Sequence, residues 1–370
     1  MEKSRREFLK MAAAGSAGLL AGGLKMLRAD NMPTASKPQN KPQNKPQNTL
    51  PRWRGFNLTE MFTMHSRGTF KEQDFQWISD FGFDFVRLPL CYRLWIENGD
   101  DYKMNQAMLE KLDNAVDLGQ KYNIHVCLNF HRAPGYSVNE EFKEPFSLWK
   151  DKQAQDAFCF QWQMMAKRYN GISKDKISFN LVNEPTDAGN EKIMSRADYL
   201  RVMRAGTAAI REVSPERIII VDGLRWARDP IPELADLGVA QSCRAYDPMS
   251  ISHYKASWVN TQDAPEPVWP TRDGWDRKKL EEYAQPWFEL MKKGVGVHCG
   301  EGGVYRYTPH KVVLAWLQDV CEILHSHNIG LALWSFRGDF GIIDSHREDV
   351  AYEDFHGHKL DRELLTLLQK

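Results

Sequence analysis

Eight short apolar runs, most of them separated by a longer amphipathic stretch, narrow the fold of this chain more than any other feature. They cover residues 53–58, 83–90, 124–130, 177–182, 217–221, 239–246, 295–300 and 330–336. Helical periodicity marks intervening segments such as 106–122, 151–169, 195–213, 277–292 and 311–327. This alternation is that of βα units, in which a crossover helix carries the chain to the next parallel strand. Eight such units, mostly at intervals of roughly 30 to 50 residues, suit a closed (β/α)8 barrel of the TIM type. A dinucleotide-binding sheet would want Gly-x-Gly-x-x-Gly after its first strand, and Gly55-Phe56-Asn57-Leu58 does not supply it.

The first 49 residues read differently. Ser4-Arg5-Arg6-Glu7-Phe8-Leu9-Lys10 precedes an uncharged, Ala- and Gly-rich run over 11–24. A spanning helix needs about 20 apolar residues to cross ~30 Å of hydrocarbon, so this run reads as an export signal and not as an anchor. The Arg5-Arg6 pair with Phe8-Leu9-Lys10 resembles the twin-arginine signal of bacteria, with cleavage expected after Ala29. Lys-Pro-Gln-Asn then repeats through 37–48, a tract with a Pro every fourth residue and nothing to bury, expected to be an extended, disordered spacer. The expected organisation is a signal peptide over 1–29, a linker over 30–49 and one barrel domain over 50–370. The mature protein is expected in the periplasm or outside the cell, without stable membrane insertion, as a monomer.

The chain's 49 Lys and Arg balance its 49 Asp and Glu. Leader and linker hold 9 of the basic and 3 of the acidic residues, which leaves 40 against 46 in the domain, a net of −6. Neutralising phosphates needs a basic surplus, so nucleic acid is not an expected partner. All 12 Trp fall within the domain, where surface aromatics can serve as flat platforms for ligands. Six Cys are too sparse for a disulfide scaffold, and free thiols are expected.

In barrels of this kind the chemistry sits at the C-terminal ends of the strands. There the chain places Arg87-Leu88-Pro89, Asn129-Phe130-His131-Arg132, Asn183-Glu184-Pro185, Arg244-Ala245-Tyr246-Asp247-Pro248, Gly300-Glu301-Gly302-Gly303 and Trp334-Ser335-Phe336. Singly, each has an ordinary structural reading: Arg87 as half of an ion pair, His131 as a satisfied histidine, Trp334 as core. Repeated at strand after strand on one face, they point to a site. Glu184 and Glu301, on the fourth and seventh strands, lie across the barrel mouth. Two opposed carboxyls are what glycosidic cleavage needs, one protonating the leaving oxygen and the other attacking the anomeric carbon or activating water. Asn183 can offer its amide to a sugar 2-hydroxyl. Arg87 and Tyr246 would stabilise Glu301 as an anionic nucleophile, whereas Glu184 must arrive protonated. His131 fits the same shell, and Trp334, with Trp226 after the fifth strand, would give pyranose rings flat faces.

These strand-end motifs resemble those of glycoside hydrolase family 5, the cellulase family of retaining (β/α)8 glycosidases, in its order and spacing. The likeness extends to Leu181-Val182-Asn183-Glu184-Pro185, Leu333-Trp334-Ser335-Phe336, Gly338-Asp339-Phe340-Gly341 and Gly357-His358-Lys359-Leu360-Asp361, and covers about residues 50–370. It implies cleavage of a β-linked polysaccharide or oligosaccharide with net retention, Glu184 as acid/base, Glu301 as nucleophile, and no metal or organic cofactor. One position departs from the pattern. Most members carry His-x-Tyr on the sixth strand, and here the aligned triplet is Arg244-Ala245-Tyr246. A permanent cation there is expected beside the nucleophile, and His253 and Trp258 then fall in the following loop as a wall of the cleft.

A β-glucanase is the leading expectation, with a β-mannanase, an exo-β-glucanase or a catalytically silent carbohydrate-binding barrel as alternatives. A metal-dependent hydrolase is disfavoured, because no His-x-His follows the first strand. His125 and His298 are expected in the core. Segments 62–71, 133–150 and 263–276 are expected as loops shaping the cleft, the last, with Trp269 and Trp275, as an aromatic lid or subsite floor or else as a packed surface loop.

Overall fold

The computed structural model describes residues 48–138, 143–186 and 192–370. The expected leader, and the linker up to residue 47, lie outside the described residues. Eight parallel strands close into a barrel: β1 Gly55–Asn57, β2 Phe85–Cys91, β3 His125–Ala133, β4 Ile177–Asn180, β5 Ile218–Asp222, β6 Ala240–Ala245, β7 Val297–Gly302 and β8 Leu331–Leu333. Each pairs with the next in order, and β1 pairs with β8 to complete the ring. Each expected run overlaps one strand, and β2, β3, β5 and β7 continue past the expected ends at 90, 130, 221 and 300. Every residue of β2 and of β3 is buried, as strands covered on both faces require.

The larger helices form the outer layer: α1 Glu72–Asp80, α2 Gln106–Lys121, α3 Lys152–Arg168, α4 Arg196–Arg211, α5 Arg277–Met291, α6 His310–Ser326 and α7 Arg362–Gln369. Their starts are written locally. Asn105 accepts from Met108 N ahead of α2, and Ser195 with Asp198 forms a reciprocal capping box ahead of α4. Two elements, α1 and α7, had no counterpart among the expected helices, because nine and eight residues give periodicity little length to act on.

The N-terminal end of the barrel is plugged. Trp53 stacks on His125 with centroids 3.8 Å apart, Phe85 and His298 pack beside them, and this cluster includes Cys127, Ile220 and Ala332. His125 and His298 are core residues, as expected; burial lowers them to about 3 and about 4, so both stay neutral. All six cysteines are free thiols. Packing against the barrel already includes Asn48, ahead of the boundary expected at Leu50. Asn48 is buried, donates to Val297 O at 2.7 Å and Asn328 O at 3.0 Å, and accepts from Val297 N at 3.0 Å. With one end filled, the open end is left for chemistry.

Candidate active site

Arg87 organises the open end. Its Nη1 donates to Glu301 Oε1 at 2.6 Å and to Asn57 Oδ1 at 3.0 Å, its Nη2 to Asn183 Oδ1 at 2.7 Å, and its Nε to Asn180 Oδ1 at 3.1 Å. A guanidinium only 1% exposed is tolerable because its donors are satisfied and its charge is met by Glu301.

Glu301 reaches this position through a bulge. Cys299 pairs with Cys243 and Glu301 with Arg244, so Gly300 is an extra residue on β7. Bulges bend a strand and re-aim its side chains. Beyond the bulge, Oε1 of Glu301 meets Arg87 and lies 3.3 Å from Arg244 Nη2, while Oε2 accepts from the Tyr246 hydroxyl at 3.1 Å. Burial, then the charge of Glu301, hold the Tyr246 phenol well above its usual 10, so it serves as a neutral donor.

Glu184 lies beyond the end of β4 with a φ of +45°. A left-handed backbone at a residue with a side chain costs about 1–3 kcal/mol and persists where the surroundings over-determine it. Here Asp222 Oδ2 accepts from its N–H at 2.9 Å, the Tyr136 hydroxyl donates to its carbonyl at 2.7 Å, and Arg244 Nε donates to its Oε1 at 2.8 Å. Burial, and next the negative charge of Glu301, push the Glu184 carboxyl up to about 7, against the pull of Arg244. The side chain keeps 16% exposure, a face open to the mouth. Two carboxyls of different character thus share one cleft, the one met by two guanidiniums and a phenol and the other inclined to hold a proton.

A profile for cellulase (glycosyl hydrolase family 5) matches residues 43–339. The chain belongs to glycosyl hydrolase family 5. It is an O-glycosyl hydrolase of the cellulase family. Endoglucanase C of Acetivibrio thermocellus is 26% identical over 328 residues, 80% of this chain and 92% of its own length. Cellodextrinase A of Ruminococcus flavefaciens is 29% identical over 275 residues, 70% of this chain and 76% of its own. A crystal structure of a glycoside hydrolase superposes with a TM-score of 0.82 at 39% identity, over 86% of this chain and 98% of that one.

In this family 5 hydrolase, Asn183 is oriented by both guanidiniums. Its Oδ1 accepts from Arg87 and, at 2.9 Å, from Arg244, which turns Nδ2 toward His131 Nε2 at 3.3 Å. Burial and the surrounding arginines keep His131 well below its usual 6.5, hence neutral, and its ring stacks on Trp334 with centroids 5.6 Å apart. Phe62, from the loop after β1, meets both rings edge-on. Trp226, 41% exposed, donates its backbone N–H to Pro185 O at 3.0 Å, next to Glu184.

Two more expected segments take their places. His253, expected as a wall of the cleft, packs edge-on against the Tyr246 ring at 5.0 Å. The segment 263–276 serves the outer layer, with Trp269 Nε1 donating to Asp319 on α6 at 2.8 Å and Trp275 packing against Tyr283 on α5. Of 133–150, residues 139–142 lie outside the described residues. The sequence reading overlooked Asn57, Asn180, Ser242 and above all Asp222. The fifth run was ended at Val221, one residue short, although an Asp closing an apolar strand of a barrel was signal enough.

Proposed function

We propose that this protein is a retaining β-glycosidase that cleaves a β-linked glucan by double displacement, with Glu301 as nucleophile and Glu184 as acid/base. The observation that carries the reading is the contrast between the carboxyls: Arg87, Arg244 and Tyr246 surround Glu301, whereas burial and Glu301 itself favour the protonated form of Glu184. A single guanidinium touches both, which supports the short separation of about 5–5.5 Å that attack by the enzyme carboxylate requires, and not the wider spacing that admits water.

The first step breaks the bond between the anomeric carbon and the leaving oxygen. Glu184 gives its proton to that oxygen as Oε2 of Glu301, the oxygen not bound to Arg87, forms the new bond to carbon. Water then enters, Glu184 takes its proton, and the hydroxide replaces Glu301 with the original configuration restored. Asn183 Nδ2, its orientation fixed by the two arginines, is placed to donate to the 2-hydroxyl, and Trp334 gives the sugar a floor. Glucan as substrate is supported by the names of the relatives, an endoglucanase and a cellodextrinase. Export through residues 1–29 is supported by the Arg5-Arg6 pair and the uncharged run behind it.

The test is trapping. A 2-deoxy-2-fluoro aryl β-glycoside should accumulate as a covalent adduct, and peptide mapping should place the label on Glu301. A label on any peptide lacking Glu301 would refute the assignment.

A further inference from the structure

Arg244 departs from the histidine usual at its position, and nothing in the two-carboxylate chemistry calls for a second guanidinium. Its surroundings show what it is tied to. Nε donates to Glu184 Oε1 at 2.8 Å; Nη1 donates to Ser242 Oγ at 2.9 Å and Cys243 O at 3.1 Å; Nη2 donates to Asn183 Oδ1 and to Asp222 Oδ2. The side chain is 3% exposed and that of Asp222 fully buried. Ser242 pairs in register with Asp222 on β5 and Arg244 with Glu301 on β7, so β6 carries the guanidinium between the two carboxylates. Space for it is made by Gly300, where a Cβ would lie 2.5 Å from Ser242 Oγ and 3.1 Å from Arg244 Nη1.

We infer that Asp222 and Arg244 form a charge-paired clamp that positions Glu184, Asp222 holding its strained backbone and Arg244 its carboxyl, with Asp222 cancelling the charge that Arg244 would otherwise impose on the acid. The inference rests on Glu184 as proton donor. Asp222 grips at two points, since the oxygen that meets Arg244 also accepts the Glu184 N–H, and Asn180 fixes the other oxygen at 2.9 Å. The charges close: Arg87 and Arg244 against Glu301 and Asp222 leave the cleft neutral when Glu184 carries its proton. Removing either clamp charge breaks that balance in opposite directions. The other titratable groups around Glu184 among the described residues are Tyr136 at its carbonyl and Glu301 with Tyr246 across the cleft, while Arg87 and His131 lie behind the Asn183 amide.

Asp222 and Arg244 are therefore positioning residues, and the experiment reads the protonation of Glu184 directly. Carboxyl-carbon-labelled glutamate is followed by NMR against pH in the wild type, Asp222→Asn, Arg244→Gln and the double variant, with Glu184→Gln identifying the resonance, and pH profiles of kcat/KM are taken in parallel. Asp222→Asn should move the Glu184 midpoint, and the alkaline limb of activity with it, down by one unit or more. Arg244→Gln should move both up, and the double variant should return toward wild type. Arg244→Lys, which keeps the charge, should sit nearer wild type than Arg244→Gln and gives a second folded variant. No shift, or shifts of the same sign in folded proteins, would overturn the clamp. Midpoints that move as stated while activity ignores them would leave the clamp standing and sink the proton-donor role.

Discussion

The Tyr246 hydroxyl donates to Oε2 of Glu301 at 3.1 Å, on the oxygen opposite the one that Arg87 holds. In the proposed double displacement that division makes Oε2 the attacking atom, with one tether that fixes its direction. Hydrogen bonds to charged groups contribute about 1.5–3 kcal/mol. Tyr246→Phe should therefore lower kcat/KM roughly 10- to 100-fold and cost stability no more than about 1.5–3 kcal/mol, because the ring keeps its packing against His253. Steady-state kinetics with an activated aryl glycoside checks this; an unchanged rate would show that Glu301 needs no such guide.

Glu184 ties activity and stability to pH with opposite demands. Its carboxyl is raised from 4.5 to about 7 chiefly by burial, and as the proposed acid it can donate only while protonated, so kcat/KM should hold through weakly acid pH and fall as pH rises through about 7. In the unfolded chain the group ionises near 4.5, so between those values the folded state binds the extra proton. Its contribution to stability is complete below about 4.5 and is lost as pH climbs through about 7. Glu184→Gln should be inactive toward poor leaving groups, yet gain on the order of 1–3 kcal/mol relative to wild type above pH 7. Denaturant unfolding of both proteins at pH 5 and pH 8 measures the difference.

The barrel was readable because its signals are local. Each strand is a short apolar run, and the polar residue that ends it stands at a position the architecture itself makes functional. What could not be read is what depends on register. Arg244 was expected beside Glu301, and it does approach it at 3.3 Å, but its closer carboxyl contacts are Glu184 and Asp222, because β6 lies between β5 and β7 and its guanidinium reaches across the mouth to the end of β4. Trp269 and Trp275 illustrate the reverse case. Aromatic residues in a Pro-rich loop look the same in sequence whether they face a ligand or a neighbouring helix, and here Asp319 and Tyr283 claim them.

The domain boundary is testable at Asn48. Its side chain joins the start of β7 to the turn at Asn328 through three hydrogen bonds and is buried. Asn48→Ala would leave the Val297 N–H and two carbonyls without this partner, at about 1–3 kcal/mol for buried groups so orphaned. Equilibrium unfolding should show the loss with catalytic constants unchanged. A variant as stable as wild type would return Asn48 to the linker.

Trp258 gives the remaining prediction. A ladder of rings runs outward from Tyr246, which meets His253 at 5.0 Å; His253 meets Trp258 at 6.1 Å, and Trp258 meets Tyr305 at 4.9 Å, with Phe340 packed behind. Trp258 is nevertheless 57% exposed, a large apolar face kept in water by rings that brace it from one side only. A rigid, exposed aromatic face joined through His253 to Tyr246 suits the apolar face of a pyranose beyond the cleaved bond. Covering it with a sugar removes apolar area worth about 1–2 kcal/mol at roughly 25 cal/mol per Å². Trp258→Ala should then lower kcat/KM about 5- to 30-fold on long glucan oligosaccharides and leave a short aryl glycoside untouched, because only the long chain extends that far. Equal losses on both substrates would mean that Trp258 supports the Tyr246 wall and binds no sugar.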